Sequence, residues 1–159
     1  MTQCPKVQTA LPWTAVDRES GAAARGTSPF DRPLHVMFFS PTLGSGGAER
    51  QVLRLLRHLD RRLVRPSLSV ARAGGSYEPW LPEDVGLHVC TKRAKSSLLS
   101  AAQSILPLRR RIQEEQPDVV ASLITSANIA LASALASLPH PPKLVLGVQN
   151  NFSMVMASR

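Results

Sequence analysis

Five short apolar runs, separated by stretches with helical spacing, constrain this chain more than any other feature. They are residues 34–39 (LHVMFF), 67–71 (SLSVA), 87–90 (LHVC), 118–123 (DVVASL) and 143–148 (KLVLGV). Runs of four to six residues bounded by glycine, proline and polar clusters read as strands buried within a sheet. After the first run, Ala48, Val52, Leu55, Leu56 and Leu59 recur at helical spacing, with Arg50, Arg54 and Arg57 off that stripe. Leu98, Ala102, Ile105, Leu108 and Ile112 repeat the pattern, kinked or begun anew near Pro107. Residues 127–138 read as a small-residue helix with Ser126 as its N-cap. Strands alternating with helices of this length imply βαβ units on a parallel sheet. The predicted class is α/β, a Rossmann-like doubly wound sheet.

Residues 1–32 mix Pro, Gly, Thr and charge without a period and are expected to form a disordered extension. Residues 33–159 are then one domain, long enough for a core but not for two domains of ordinary size. It is expected to be incomplete at its carboxyl end, where Met154, Val155 and Met156 open a helix that is not finished. The hydrophobic fraction is 43% and aromatics only 4%, so the core must be aliphatic. The formal charge of +8 favours anionic partners without choosing among nucleic acid, acidic lipid and phosphorylated substrate. Two cysteines, Cys4 and Cys90, are too few for a metal site or a disulfide framework and fit a reducing cytoplasm. No stretch approaches the roughly 18 uninterrupted apolar residues of a membrane span.

Ligands of open parallel sheets bind beyond the carboxyl ends of the strands. GSGGAER at residues 44–50 follows the first strand there and opens a helix. Gly46 and Gly47 would let the backbone approach a ligand, and the helix N-terminus would offer N–H groups to an anion. A tight turn that needs glycine for its own φ angles is the competing explanation. The dinucleotide pattern G-x-G-x-x-G fails because Glu49 stands at its third glycine. Arg72, at the end of the second strand, could still suit a ribose phosphate. No Gly-Lys-Ser/Thr follows, which excludes a P-loop. His35, His58, His88 and His140 show no metal spacing, and Glu114 and Glu115 end a helix face rather than pairing across a site. No Ser-His-Asp arrangement can be argued, and catalytic residues are not identified.

The run HVMFFSPTLGSGGAERQVLRLLRHLDRR resembles the opening of retaining family 4 glycosyltransferases of the GT-B fold. The resemblance continues at GGSYEPWLP, at LRRRIQEEQPDVVASLITSANIALASALA and at KLVLGVQNN, and covers roughly residues 34–153. It implies the N-terminal, acceptor-side half of two Rossmann-like domains that face a cleft. The enzyme would transfer a hexosyl or N-acetylhexosaminyl group from a nucleotide sugar to a glycan or lipid-linked acceptor. Gly46 and Gly47 would line the cleft near the donor diphosphate, and Glu49 and Arg50 would steady the loop. Ser122, Thr125 and Asn128 would offer hydrogen bonds from the fourth strand end, Asn128 alternatively capping its helix. Many relatives carry a histidine where this sequence has Leu123. Gln149 and Asn150 would bind acceptor hydroxyls or satisfy loop carbonyls. The resemblance implies no cofactor and no metal, with positive side chains and helix dipoles balancing the leaving diphosphate. The family's Glu-x7-Glu pair and diphosphate-gripping basic residues belong to a second domain not found in these 159 residues, so the chain alone is expected to be inactive.

Two readings compete with this one. An NADP-binding Rossmann oxidoreductase fragment would rest on Gly44, Gly46 and Arg72. A basic, non-catalytic binding module would rest on charge alone; no nucleic-acid motif supports it, and nucleic acid is not expected. The arginines at 50, 54, 57, 61 and 62 are either a contact for acidic lipid on the inner membrane face or a solvated helix face. The expected location is cytoplasmic, with peripheral membrane contact under the first alternative.

Overall fold

A computed structural model describes residues 32–91, 97–136 and 138–148, with only the backbone described for 97–101. The elements are β1 (Leu34–Ser40), α1 (Gly47–His58), β2 (Val64–Arg72), a 3₁₀ turn (Glu78–Trp80), β3 (Leu87–Thr91), α2 (Ser97–Glu115), β4 (Val119–Ser122), α3 (Thr125–Leu135) and β5 (Lys143–Leu146). All strand pairs are parallel, in the order β3-β2-β1-β4-β5. The α/β doubly wound reading therefore holds, with β1 at the centre.

Alternation along each strand divides the core in two. Met37 and Phe39 of β1, Ala71 of β2 and Val120 of β4 point to the side covered by α2 and α3, where they meet Leu108, Ile112, Leu131 and Ala134. Phe38, Leu68, Val70 and Ala121 point to the other side and meet Val52 and Leu56 of α1. The charges of α1 suit its dipole, with Glu49 in the first turn and Arg57 and His58 in the last.

Several boundaries differ from the sequence expectations. The chain between β4 and α3 is only two residues long, so α3 begins at Thr125 directly after extended Ile124. Ser126 therefore lies inside the first turn and is not the N-cap; no side-chain cap is present. Asn128 is likewise interior to α3 and does not cap it. Pro107 sits inside one continuous α2 and does not restart it. The carbonyl it cannot serve belongs to exposed Gln103, where water can take over. β2 starts three residues earlier than its apolar run, because Val64, Arg65 and Pro66 pair with Leu34, His35 and Val36. The expected extension falls outside the described residues except for Arg32, which binds the Asp118 carboxylate through two 2.7 Å bonds. The helix expected at 154–156 also lies outside them.

Candidate functional site

The strand order reverses between β1 and β4. β1 leads through α1 to β2 on one side, whereas α2 carries the chain across to β4 on the other. Such a switch point opens a crevice at the carboxyl edge, because the loops on either side turn away to opposite faces. The loop after β1 (residues 41–46) forms one wall here, and the β4–α3 junction (residues 123–124) forms the other.

The first wall is held from behind. The Ser40 hydroxyl donates to the Thr42 carbonyl (2.7 Å), and the Gly44 N–H meets the Thr42 hydroxyl at 3.3 Å. Leu43 is fully buried, and its carbonyl accepts the Tyr77 N–H at 2.8 Å. The Arg72 N–H donates to the Pro41 carbonyl at 3.0 Å. A Cβ on Gly75 would collide with the Leu43 backbone, so glycine there lets the two loops touch. Arg50 reaches from α1 to the same segment, donating from Nε (3.1 Å) and Nη2 (3.0 Å) to the Tyr77 hydroxyl, its guanidinium 5.9 Å from the ring centre. Arg50 is thus a steadying residue, as its place in the loop motif implied.

The glycines of this loop divide by cause. None of Gly44, Gly46 and Gly47 has positive φ; among the described glycines only Gly74 does, at +92°. The tight-turn explanation is therefore removed for all three. A Cβ at Gly46 would collide with the Glu49 carboxylate, which folds back over the helix start. At Gly47 a Cβ would meet nothing within 4 Å. Gly47 is exposed in the first turn of α1, and no side-chain hydrogen bond caps that helix at Gly46.

The second wall is polar and mostly buried. Ser122 is 1% exposed, its hydroxyl 3.5 Å from the Ile124 N–H and its carbonyl accepting the Gly147 N–H at 2.7 Å. Asn128, 8% exposed, donates from Nδ2 to the Gly147 carbonyl at 2.9 Å, which fixes its amide with Oδ1 pointing elsewhere. That Oδ1 and the Thr125 hydroxyl are buried with no hydrogen-bond partner. Two such oxygens on one helix start call for donors that water or a ligand can supply. Ser122 and Asn128 hold β4, α3 and β5 together. Gln149 and Asn150 lie outside the described residues.

A polar network at the opposite, amino edge was not foreseen. His35 of β1, Ser67 of β2 and Glu115 at the end of α2 converge, with His35 Nε2 3.0 Å from Ser67 Oγ and 3.3 Å from Glu115 Oε2. Glu115, read from sequence as one end of a helix face, instead reaches beneath the sheet. Ser67 donates to Glu115 at 3.0 Å, and Arg65 donates to His35 Nδ1 at 3.0 Å. A guanidinium only donates, so Nδ1 accepts and the proton sits on Nε2. With that tautomer His35 cannot take the Ser67 proton, which excludes a nucleophilic triad. Burial, and then the charge of Arg65, push the His35 pKa below its ordinary value.

The arginine row mostly binds sideways. Arg57 donates to the Trp80 carbonyl (2.8 Å), Arg61 pairs with Asp84, and Arg62 pairs with Asp60 at 2.6 Å. The Arg57 and Arg61 contacts tie α1 and its following turn to the β2–β3 connection, whereas Arg62–Asp60 stays within that turn. A cavity of about 600 Å³ lies at the amino edge between Gln116, Asp118, His140 and Lys143, remote from the switch point. Among the described residues no three His, Cys, Asp or Glu side chains gather to hold a metal, and no helix is long and apolar enough to cross a membrane.

Residues 45–155 match the family described as Glycosyltransferase Family 4. No curated protein matches the chain. Among solved structures the chain is similar to one described as lipopolysaccharide outer core galactosyltransferase WaaB, apo form. The TM-score is 0.57 at 11% identity, over 76% of this chain and 35% of that one. A likeness at that identity shows a shared fold, and this chain spans about a third of that enzyme's length.

Proposed function

Because the chain belongs to glycosyltransferase family 4, we propose that it forms the acceptor-side half of an enzyme that transfers a hexosyl or N-acetylhexosaminyl group from a nucleotide sugar to a glycan or lipid-linked acceptor. A second, nucleotide-binding domain completes the cleft in this reading. Gly46 and Gly47 admit the donor diphosphate to the N-terminus of α1, whose N–H groups balance its charge without a metal or cofactor. The hydroxyl of Thr125 and the carbonyl oxygen of Asn128 meet sugar hydroxyls on the facing wall. Ser122 positions that wall, and Gln149 and Asn150 bind the acceptor. Lipid-linked acceptors would bring the protein to the inner membrane face, with exposed Arg54 of α1 available to acidic headgroups.

The observation that carries the residue-level reading is Gly47, a glycine that neither backbone conformation nor internal packing requires. Its test is an amide titration of the isotope-labelled chain with UDP, UDP-hexoses and UDP-N-acetylhexosamine. Shifts should concentrate at Gly44, Gly46, Gly47 and the first turn of α1, and Gly47→Val should remove them while the circular dichroism stays unchanged. Absence of shifts in a folded chain would sink the assignment. Saturable shifts with NADPH at these same amides, and none with sugar nucleotides, would favour the oxidoreductase reading instead.

A further inference from the structure

The Glu49 carboxylate occupies ground that the glycine loop leaves empty. It lies where a Cβ of Gly46 would stand, and its Oε1 is 3.9 Å from where a Cβ of Gly44 would stand. The side chain is half-buried, and no ion pair among the described residues includes it. The guanidinium of its neighbour Arg50 is turned away to the Tyr77 hydroxyl. An acid in the first turn of a helix is favourable, because the dipole offers it partial positive charge. No side-chain cap competes for that charge at Gly46. Glu49 therefore sets a negative charge of its own at the place that suits an anion. The same contact accounts for Gly46, since any side chain there would expel the carboxylate.

Two anions brought to one place repel each other. This inference rests on the reading that the donor diphosphate comes to Gly46 and Gly47. The far end of Glu49 must then swing toward solvent, with its charge still close by. Its repulsion differs between donor and product. In a sugar nucleotide, one oxygen of the terminal phosphoryl group is bonded to the anomeric carbon. Transfer breaks that bond, and the electron pair stays on the phosphoryl oxygen. The acceptor hydroxyl oxygen bonds the same carbon and releases its proton to solvent. The product's terminal phosphate thus gains about one negative charge, most of it kept at neutral pH because the last pKa of such a group is about 6. A carboxylate beside it repels the product more than the donor.

We propose that Glu49 is a specificity-determining residue of the crevice, whose carboxylate disfavours the nucleoside diphosphate product relative to the sugar-nucleotide donor. It favours exchange of spent product for fresh donor, and it does so by charge alone.

Amide titrations of the wild-type chain and of Glu49→Gln, with UDP and with UDP-glucose, test this. Glutamine keeps the shape of the side chain and removes its charge. UDP should bind the variant roughly threefold to tenfold more tightly. UDP-glucose should gain by a smaller factor, so the ratio of the two dissociation constants shifts in favour of UDP. Should the variant fail to fold, the wild type carries the test through the side-chain carboxyl carbon resonance of Glu49. That resonance should move further at saturation with UDP than with UDP-glucose, and an unmoved resonance overturns the proposal. Equal gains for both ligands, no gain, or weaker UDP binding by Glu49→Gln also overturn the role of Glu49 and leave the Gly46–Gly47 reading in place. Absence of amide shifts with either ligand in both proteins overturns that reading and this proposal with it.

Discussion

Gln116 ends α2 with φ at 45°, the one described non-glycine residue in the left-handed region. Its N–H still donates to Ile112 (2.9 Å), so the residue closes the helix as a glycine commonly does, with Pro117 preventing continuation. A side chain in that conformation costs roughly 1–2 kcal/mol, part of which glycine would return in the unfolded chain. Gln116→Gly should therefore raise the urea-unfolding free energy by about 0.5–1 kcal/mol, and a decrease would show that the Gln116 side chain does more than fill space. This strain was not legible in the sequence, where glutamine before proline carries no left-handed signal. Nor was the fate of Asn128 legible. Asparagine near a helix start reads equally as a cap or a ligand, and only the approach of Gly147, 19 residues on, makes it a tie.

At the scale of elements, the two glycine segments of the carboxyl edge respond oppositely to a methyl group. Gly75→Ala drives a Cβ into the Leu43 backbone and should cost about 1–3 kcal/mol, as overpacking does. Gly47→Ala adds a methyl in open space at a helical position and should be neutral or stabilise slightly. Thermal unfolding of both variants checks the contrast; equal losses would mean that Gly47 is structural and would remove its special status at the crevice. The strands and α1 were legible because each buries a periodic apolar set: Met37 and Phe39 against one layer, Phe38 against the other. The α3 start was misread because Ser126 has a cap's chemistry, while the two-residue link from β4 had already begun the helix at Thr125. A sequence pattern does not announce a connection's length until both of its ends are known.

For the whole molecule, the amino edge sets the response to acid. His35 stays neutral with a lowered pKa, so its contribution to stability is complete above the ordinary value of 6.5 and is lost as pH falls below it. Asp118 is held at about 2 by the Arg32 guanidinium and the His35 N–H, so its contribution is present above 3.8 and is lost toward pH 2. Urea midpoints should fall first between pH 7 and 5 and again below 4. His35→Gln should lessen the first fall without abolishing it, because burial lowers the pKa of His88 as well. An unchanged slope in that variant would remove His35 from the account. This network was invisible to sequence reasoning, since His35, Ser67 and Glu115 are up to 80 residues apart and meet only through the sheet order. The apolar run of β5 was read correctly as a strand, yet run composition cannot say that it pairs with β4.

The sheet order also carries a consequence for biosynthesis. One wall of the crevice follows β1, early in the chain, while the other arrives with β4, after the whole of β2, β3 and α2 has been made. A nascent chain that has folded only its first three strands owns the glycine loop but no crevice. A ligand that bridges the two walls can therefore add stability only to molecules that have completed the crossover, and it would reward the finished protein without guiding its assembly.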